Sequence, residues 1–429
     1  MRMVKRKLRE PLEDRKGSLF FDGFSVKELA EKYDTPLYVL SEKRIRDNYN
    51  HLHNALISNY KHLRIYYAAK ANSNLAVLRI LQSEGAYLDT VSPGEVFLGL
   101  SSGYTPDRIL FTGTSVRNDE LKMLADANIT VNVDSQSELD RLLKFTVPPV
   151  ISVRVNPEIG AGHHNHCITA GPESKFGLWE DDAIKAYATA KRARVERFGI
   201  HMHIGSGILE IETYSLAVEK LLSIAKRAHD EVGIEFEFID IGGGLGVPYQ
   251  PEDKPVDLTE FSSKIVAPFK SKVKEYGLGK PFLCVEPGRY LVCDASILLT
   301  TVNTIKTTPS KKFVGVDAGF NTLVRPTMYG SYHPILVANK VAQADKETYD
   351  VVGPICESGD ALGKDRLLPN VEEGDLLAVL NAGAYGFSMS SQYNSRPRAA
   401  EVMIRQGKAI IVRQREQLSD LMSSQRTAE

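Results

Sequence analysis

The chain has 429 residues, of which 43% are hydrophobic and 25% are charged, and its formal net charge is −1. This length predicts two domains, and the balanced charge argues against a nucleic-acid partner or binding to an anionic membrane surface. No apolar run approaches the ~20 residues that a membrane-spanning helix needs.

The N-terminal residues and the cysteines indicate the cellular compartment. Residues 1–9 are basic and lack the apolar stretch of a signal peptide, so we expect a cytoplasmic protein. The cysteines are widely spaced, without a C-x-x-C pair, at positions 167, 284, 293 and 356. We therefore expect reduced thiols rather than a disulfide framework or a zinc knuckle.

From residue 41 onward, strand-like runs alternate with helical patterns. The predicted strands are 64–70, 86–91, 108–112, 129–133, 150–156, 197–204, 236–241 and 281–286. The predicted helices between them include 75–84, 119–127, 136–145, 181–193, 214–232 and 258–276. Because a Rossmann domain normally stops at about six strands, this repeat predicts an α/β fold with a (β/α)₈ TIM-like barrel.

The pattern changes after residue 294. Short β-branched runs, separated by Gly and Pro turns, predict strands at 297–305, 313–317, 348–352, 375–382, 400–404 and 408–413. We expect a barrel at 42–296 and a mostly β C-terminal domain at 297–429, completed by residues 1–41 through strands near Phe20 and Tyr38.

Polar residues fall at or just past the ends of the predicted barrel strands. They are Lys70, Asp89, Thr112, Asp134, Asn156, His203, the glycines 242–244 and Glu286. Barrel enzymes place their catalytic residues at this C-terminal face, so the pattern predicts an active site there.

Lys70 ends a buried strand and precedes a turn of small residues. A desolvated lysine amine has a lowered pKa and can form a Schiff base with a carbonyl group, including that of pyridoxal phosphate. A snorkelling or salt-bridged lysine is the alternative.

Two neighbouring strand ends favour a flat, phosphorylated cofactor. The glycines at 242–246 let backbone N–H groups approach an anion, although a tight turn explains them equally, and their spacing excludes an NAD site. His203 could stack on the cofactor ring and Ser206 could donate to its phosphate.

His201 lies on the same strand face as His203 and is interpreted as a packed residue. No third ligand at metal spacing accompanies the two histidines, so we predict no metal site.

Glu286 ends the eighth predicted strand, where a buried carboxylate needs a partner. A protonated pyridine nitrogen would supply one and would make the ring an electron sink. An internal salt bridge with Arg289 is the alternative.

In order and combination, six motifs resemble those of the alanine-racemase-like, fold type III pyridoxal-phosphate decarboxylases. The resemblance spans about residues 20–413 and rests on residues 67–72, 203–206, 242–244, 286–289, 356–358 and 384–386. It implies pyridoxal 5'-phosphate as cofactor and a homodimer with its active sites at the subunit interface. The implied cofactor-binding residues are Lys70, Asp89, His203, Ser206, Gly243, Gly244, Glu286, Gly288, Arg289 and Tyr385.

The resemblance also implies the catalytic pair and the substrate. Lys70 would bind the cofactor covalently, and the partner subunit's Cys356 would deliver a proton. Glu357 could pair with a distal ammonium group, and the distal carboxylate would contact Arg289, Arg325, Tyr329 and Tyr385. We therefore expect meso-2,6-diaminopimelate to yield L-lysine and CO₂. The alternatives are an ornithine, arginine or carboxynorspermidine decarboxylase, or a racemase of the same fold.

Residues 162–167 are unusually rich in histidine. We expect a mobile loop over the site with solvent-facing histidines, and a metal site there is the less favoured alternative.

Overall fold

The computed structural model describes residues 8–162, 164 and 169–428. Most of the histidine-rich segment, with Cys167, lies outside the described residues. The chain divides into two compact units. One comprises Arg46–Pro248 and Lys254–Leu291, and the other comprises Met1–Ile45, Tyr249–Asp253 and Val292–Glu429.

The N-terminal elements belong to the second unit. They are β1 (Leu12–Arg15), β2 (Ser18–Phe21), β3 (Phe24–Ser25), α1 (Val26–Tyr33) and β4 (Leu37–Ser41). Ser25 caps α1 by accepting a hydrogen bond from the Glu28 N–H.

The barrel prediction is confirmed. Within the described residues, eight parallel strands close into a barrel. They are β5 (Leu63–Ala68), β6 (Tyr87–Thr90), β7 (Ile109–Phe111), β8 (Thr130–Val133), β9 (Val150–Arg154), β10 (Arg197–His201), β11 (Phe236–Asp240) and β12 (Phe282–Val285). Most of their residues are buried, as expected for strands covered on both faces.

The helices alternate with these strands. They are α2 (Glu42–Ile57), α3 (Leu75–Ser83), α4 (Pro93–Ser101), α5 (Asn118–Asp126), α6 (Gln136–Leu142), α7 (Glu180–Arg192), α8 (Ile211–Val232), α9 (Leu258–Phe261) and α10 (Ala267–Glu275). A π-helical turn, Ser262–Val266, interrupts the single helix predicted over 258–276. No described helix is both long and apolar enough to cross a membrane.

The second unit is mainly β-sheet. After α11 (Arg289–Val292) come β13 (Ser296–Thr307), β14 (Lys312–Val316), α12 (Arg325–Tyr329), β15 (Ile335–Val337), β16 (Glu347–Val352), β17 (Ala361–Leu368), β18 (Leu376–Val379), β19 (Ala400–Arg405) and β20 (Lys408–Arg413). In the described chain they form a nine-stranded sheet with β4, which pairs with both β13 and β19. The strand at Tyr38 therefore completes the C-terminal sheet, as predicted.

The strand at Phe20 is placed differently. It pairs with β1 and β3 in a separate three-stranded sheet of the described residues. Leu19 and Phe21 nevertheless lie in the same hydrophobic core as β4, β13 and β19. This strand thus joins the domain through side-chain packing rather than through the ladder of the large sheet.

The barrel interior depends on a small residue beside a large one. Phe238 of β11 is 2% exposed and packs with Tyr66, Leu110 and Val150 from alternate strands. A Cβ atom added to Gly199 of β10 would overlap the Phe238 ring.

We predict that Gly199→Ala destabilises the protein by about 1–3 kcal/mol, because the added methyl group overpacks the barrel core. The matched control is Gly94→Ala in α4, where the nearest atom to an added Cβ is the Ser92 Oγ at 3.8 Å. Denaturant unfolding of the full chain measures both variants. Equal midpoints for the two would contradict this account of the core.

Candidate active site

Lys70 follows β5 in a short 3₁₀ turn, Ala69–Ala71. Its Nζ donates to Asp89 Oδ2 at 2.5 Å, and Thr112 Oγ1 donates to Asp89 Oδ1 at 2.5 Å. The Asp89 side chain is completely buried, whereas that of Lys70 is 32% exposed. The structure thus fixes the amine at the end of the barrel while leaving it accessible.

The environment of Asp89 opposes its ionisation. Burial raises the pKa of this carboxyl group, and the nearby charge of Glu286 raises it further, against the lowering effect of Lys70. Asp89, Lys70 and Glu286 therefore interact electrostatically at this end of the barrel.

Glu286 follows β12 and is 3% exposed. Its Oε2 accepts a hydrogen bond from His201 Nε2 at 3.1 Å, whereas the buried Oε1 has no partner. Burial alone would raise the pKa of Glu286, but the charge and hydrogen bond of His201 lower it overall. The partner predicted as an alternative, Arg289, donates instead to Ser206 Oγ at 2.9 Å.

His201 has a role that the sequence did not reveal. Asn132 Nδ2 lies 3.2 Å from His201 Nδ1, and His201 Nε2 lies 3.1 Å from Glu286 Oε2, so the ring bridges the amide and the carboxylate. The interpretation of His201 as a simple packed residue was incomplete, because strand alternation gives a side chain's face but not its partner across the barrel.

Asp240 completes a buried trio with these residues. Ligand atoms of Asp240, His201 and Glu286 lie within 4.8 Å of one another. Burial and the charge of Glu286 raise the pKa of Asp240 well above its usual range. His201 bonds to Glu286, whereas Asp240 Oδ1 accepts from the Gly242 N–H at 2.8 Å and its Oδ2 has no hydrogen-bond partner among the described residues. Only His201 of the other two residues therefore supports Glu286 by a hydrogen bond.

His203 lies just beyond β10. The Gly243 N–H donates to its Nδ1 at 3.1 Å. Burial lowers the pKa of His203 well below its usual range, and the charges of Lys70 and Arg154 lower it further. A neutral ring fixed through Nδ1 suits contact with a flat ligand.

The glycine-rich turn brings three loops together. A Cβ atom on Gly243 would overlap the backbone carbonyl of Glu286, and one on Gly244 would lie 2.5 Å from the Gly205 carbonyl oxygen. Gly244 also has φ +103°, which strongly favours glycine. Close backbone approach therefore explains both glycines and places Ser206 and Arg289 beside this turn.

Other polar strand ends organise the surrounding loops. Asn156 exchanges two hydrogen bonds of 2.9 Å with the backbone of Gly171. Asp134 accepts from the Gly177 N–H at 2.8 Å. These two side chains support the segment after β9, so the row of polar strand ends predicted from the sequence combines catalytic candidates with structural residues.

Apart from Arg289, the side chains predicted to bind substrate belong to the second unit. Arg325 begins α12, is 1% exposed and lies 5.5–5.8 Å from the ring centroids of Tyr249, Tyr329 and Tyr385. Its Nη2 donates to Ser331 Oγ at 3.1 Å. The guanidinium group is thus held among aromatic rings, away from bulk water.

Cys356 and Glu357 lie in an exposed loop after β16. Asn394 Nδ2 donates to Cys356 Sγ at 3.3 Å, and Tyr393 OH donates to Glu357 Oε1 at 2.6 Å. Asp360 anchors the loop by accepting from the Ile355 N–H at 2.7 Å. The two reactive side chains are therefore ordered and exposed together.

These residues fit pyridoxal phosphate. The unpaired buried oxygen of Glu286 suits a cationic ring nitrogen, and the glycine-rich turn at Gly243 and Gly244 packs directly against the backbone of Glu286 and Gly205. Backbone N–H groups of such a turn can bind a phosphate. Lys70 supplies an amine at the same barrel end. No carboxyl or amine in this set requires a different cofactor.

Comparison with known sequences identifies the family. The model of the family described as pyridoxal-dependent decarboxylase, pyridoxal binding domain, matches residues 42–293. The diaminopimelate decarboxylase of Methanothermobacter thermautotrophicus is 56% identical over 411 residues, which cover 96% of each chain.

Solved structures of similar proteins support the same family. Diaminopimelate decarboxylase from M. jannaschii in complex with L-lysine has a TM-score of 0.90 and 36% identity, covering 97% of this chain and 98% of that chain. The Helicobacter pylori enzyme complexed with L-lysine has a TM-score of 0.84 and 34% identity, covering 93% of this chain and 98% of that chain. The resemblance inferred from the motifs is confirmed: the chain belongs to the diaminopimelate decarboxylase family of pyridoxal-dependent decarboxylases.

Proposed function

We propose that this protein uses pyridoxal 5'-phosphate to decarboxylate meso-2,6-diaminopimelate, giving L-lysine and CO₂. The observation that carries the proposal is the Lys70 amine at the same barrel end as the buried, half-paired carboxylate of Glu286. We assign cofactor binding to residues 42–296 and the β-rich domain to residues 1–41 with 297–429.

Different barrel residues would bind different parts of the cofactor. Lys70 would attach it through Nζ, and Asp89 would position that amine. Glu286 would accept the ring N–H, and neutral His203 would contact the ring face. The phosphate would be held by Ser206, Gly243, Gly244, Gly288, Arg289 and Tyr385. When bound, the cofactor supplies the electron sink for the electron pair left by CO₂.

Substrate choice would depend on both ends of the amino acid. Arg325 is already desolvated among three tyrosine rings, which strengthens a charge-assisted bond to a distal carboxylate. Arg289, Tyr329 and Tyr385 would assist it. Glu357 would pair with the distal ammonium group, which an α-amino acid without that group cannot satisfy.

We further propose a homodimer in which the partner subunit's Cys356 and Glu357 complete each site. The two side chains are exposed, yet hydrogen bonds from Asn394 and Tyr393 hold their loop in place. An ordered loop with an exposed thiol suits delivery of a proton to a site on another chain. The Cys356 thiol would give its proton, from one face, to the substrate Cα to which the departed CO₂ was bonded, and would become a thiolate.

A product assay tests the reaction. Purified protein with pyridoxal phosphate should release CO₂ and L-lysine from meso-diaminopimelate, because only this substrate offers Arg325 a distal carboxylate and Glu357 a distal ammonium. Turnover confined to ornithine, arginine or carboxynorspermidine would contradict the assignment. Exchange of the α-proton without CO₂ release would indicate a racemase instead.

Subunit complementation tests the shared site. Lys70→Ala should be inactive, and Cys356→Ala should lower kcat by roughly 10²–10⁴, as expected for loss of a general acid. In a mixed dimer, one site would combine an intact lysine with an intact thiol. Equal mixing after unfolding and refolding should therefore restore about a quarter of the parent activity.

The control for complementation mixes Lys70→Ala with Lys61→Ala, which alters an exposed lysine outside the site. Its activity should equal that of a mixture of Lys70→Ala with the parent chain. No recovery in the test mixture, with dimers verified by mass, would place both residues in the same chain's site.

A further inference from the structure

Arg366 of β17 is a buried cation that nothing in the proposed reaction uses. It is 8% exposed, and its buried Nε has no hydrogen-bond partner. Among the residues that the structure describes, none accepts a hydrogen bond from its guanidinium or forms an ion pair with it. A guanidinium has five N–H donors, and burying a charge without a partner is costly. The unpaired N–H donors of Arg366 are therefore suited to binding an anion.

The fold makes room for this side chain. A Cβ atom on Gly363 would overlap Arg366 Nε, so the absence of a side chain at Gly363 creates its path. On the other side, the Arg366 Cζ lies 3.5 Å from the centroid of the Tyr332 ring. Stacking fixes the guanidinium plane but leaves its N–H groups, which point outward in that plane, without acceptors.

The guanidinium borders a cavity of about 680 Å³ within the second unit. Apolar side chains of Pro326, Ile335 and Leu362 line it, together with the hydroxyl groups of Thr327 and Ser331. The lining mixes apolar, hydroxyl and charged side chains, and the volume lies within the range of sites for small molecules.

Charged side chains of both signs line the cavity, and none of those described forms an ion pair with Arg366. Lys364 adds a second, exposed cation to the lining, and Asp345 and Asp365 add carboxylates. Asp365 pairs with Lys311 at 3.3 Å. Burial lowers the pKa of Arg366, and only Tyr332 opposes this effect.

We propose that this cavity binds a small organic anion through Arg366. Its carboxylate or phosphate group would accept two parallel hydrogen bonds from the guanidinium, the geometry in which arginine binds such groups best. The apolar part of the ligand would lie against Ile335 and Leu362. Arg325, which we propose binds the substrate, does not line this cavity, although its Nη2 donates to Ser331 Oγ at the cavity wall.

Calorimetric titration of the full chain, loaded with pyridoxal phosphate, tests the proposal. The probes are inorganic phosphate, acetate and glutarate, which separate a bare phosphate or carboxylate from a carboxylate on an aliphatic chain. The variants are Arg366→Met, Arg366→Lys and the matched control Lys364→Met. Arg366→Lys keeps the charge and removes the planar pair of donors.

The proposal predicts saturable binding of at least one probe, with one site per chain. Both Arg366 variants should weaken it by about tenfold or more, because lysine cannot bind bidentately, whereas Lys364→Met should change it by less than about threefold. If Arg366→Met does not fold, Arg366→Lys decides the result.

The ligand-free melting temperature gives a second readout. Arg366→Met should melt at the same temperature as the parent or higher, because replacing an unpaired buried charge removes a desolvation penalty. The proposal is overturned by the absence of saturable binding up to about 10 mM of every probe. The proposal would also be overturned if Lys364→Met weakened probe binding as much as the Arg366 variants do. It would be overturned as well if the Arg366 variants did not weaken probe binding.

Discussion

The buried carboxylate of Glu286 imposes the constraint on which the rest of the site depends. Removing an unpaired ion from water costs several kcal/mol, whereas a hydrogen bond to a charged group returns about 1.5–3 kcal/mol. The bond from His201 therefore satisfies one oxygen and leaves the other in need of a cationic donor. A protonated ring nitrogen meets that need, and the same interaction makes the ring a better electron acceptor.

The barrel strands position the other polar groups around Glu286. Neighbouring strand ends place Asp89 beside Lys70 and the buried carboxyl group of Asp240 beside Glu286. Gly243 allows the backbone after β11 to touch that of Glu286, while its N–H fixes the ring of His203. The residues that we propose bind the cofactor ring and its phosphate are thus brought together at the ends of β10, β11 and β12.

Strong local patterns carried most of the sequence prediction. The eight barrel strands were found because each is a short apolar run between helical patterns, and the motifs placed Lys70, His203 and Glu286 at their ends. Strand β17 was missed, because charged residues and register shifts interrupt its alternation. The Glu286–His201 and Arg325–tyrosine contacts join residues distant in sequence, so spacing could not reveal them. The roles of Cys356 and Glu357 stay predictions that depend on a second chain.

The protonation state of the cofactor ring tests the central claim most directly. With the ring nitrogen of pyridoxal phosphate labelled with ¹⁵N, the spectrum of the reconstituted enzyme at neutral pH should show a protonated nitrogen. Glu286→Gln should shift that resonance to the neutral form while the cofactor remains bound. A neutral nitrogen in the parent enzyme, or a resonance unchanged by Glu286→Gln, would contradict the account.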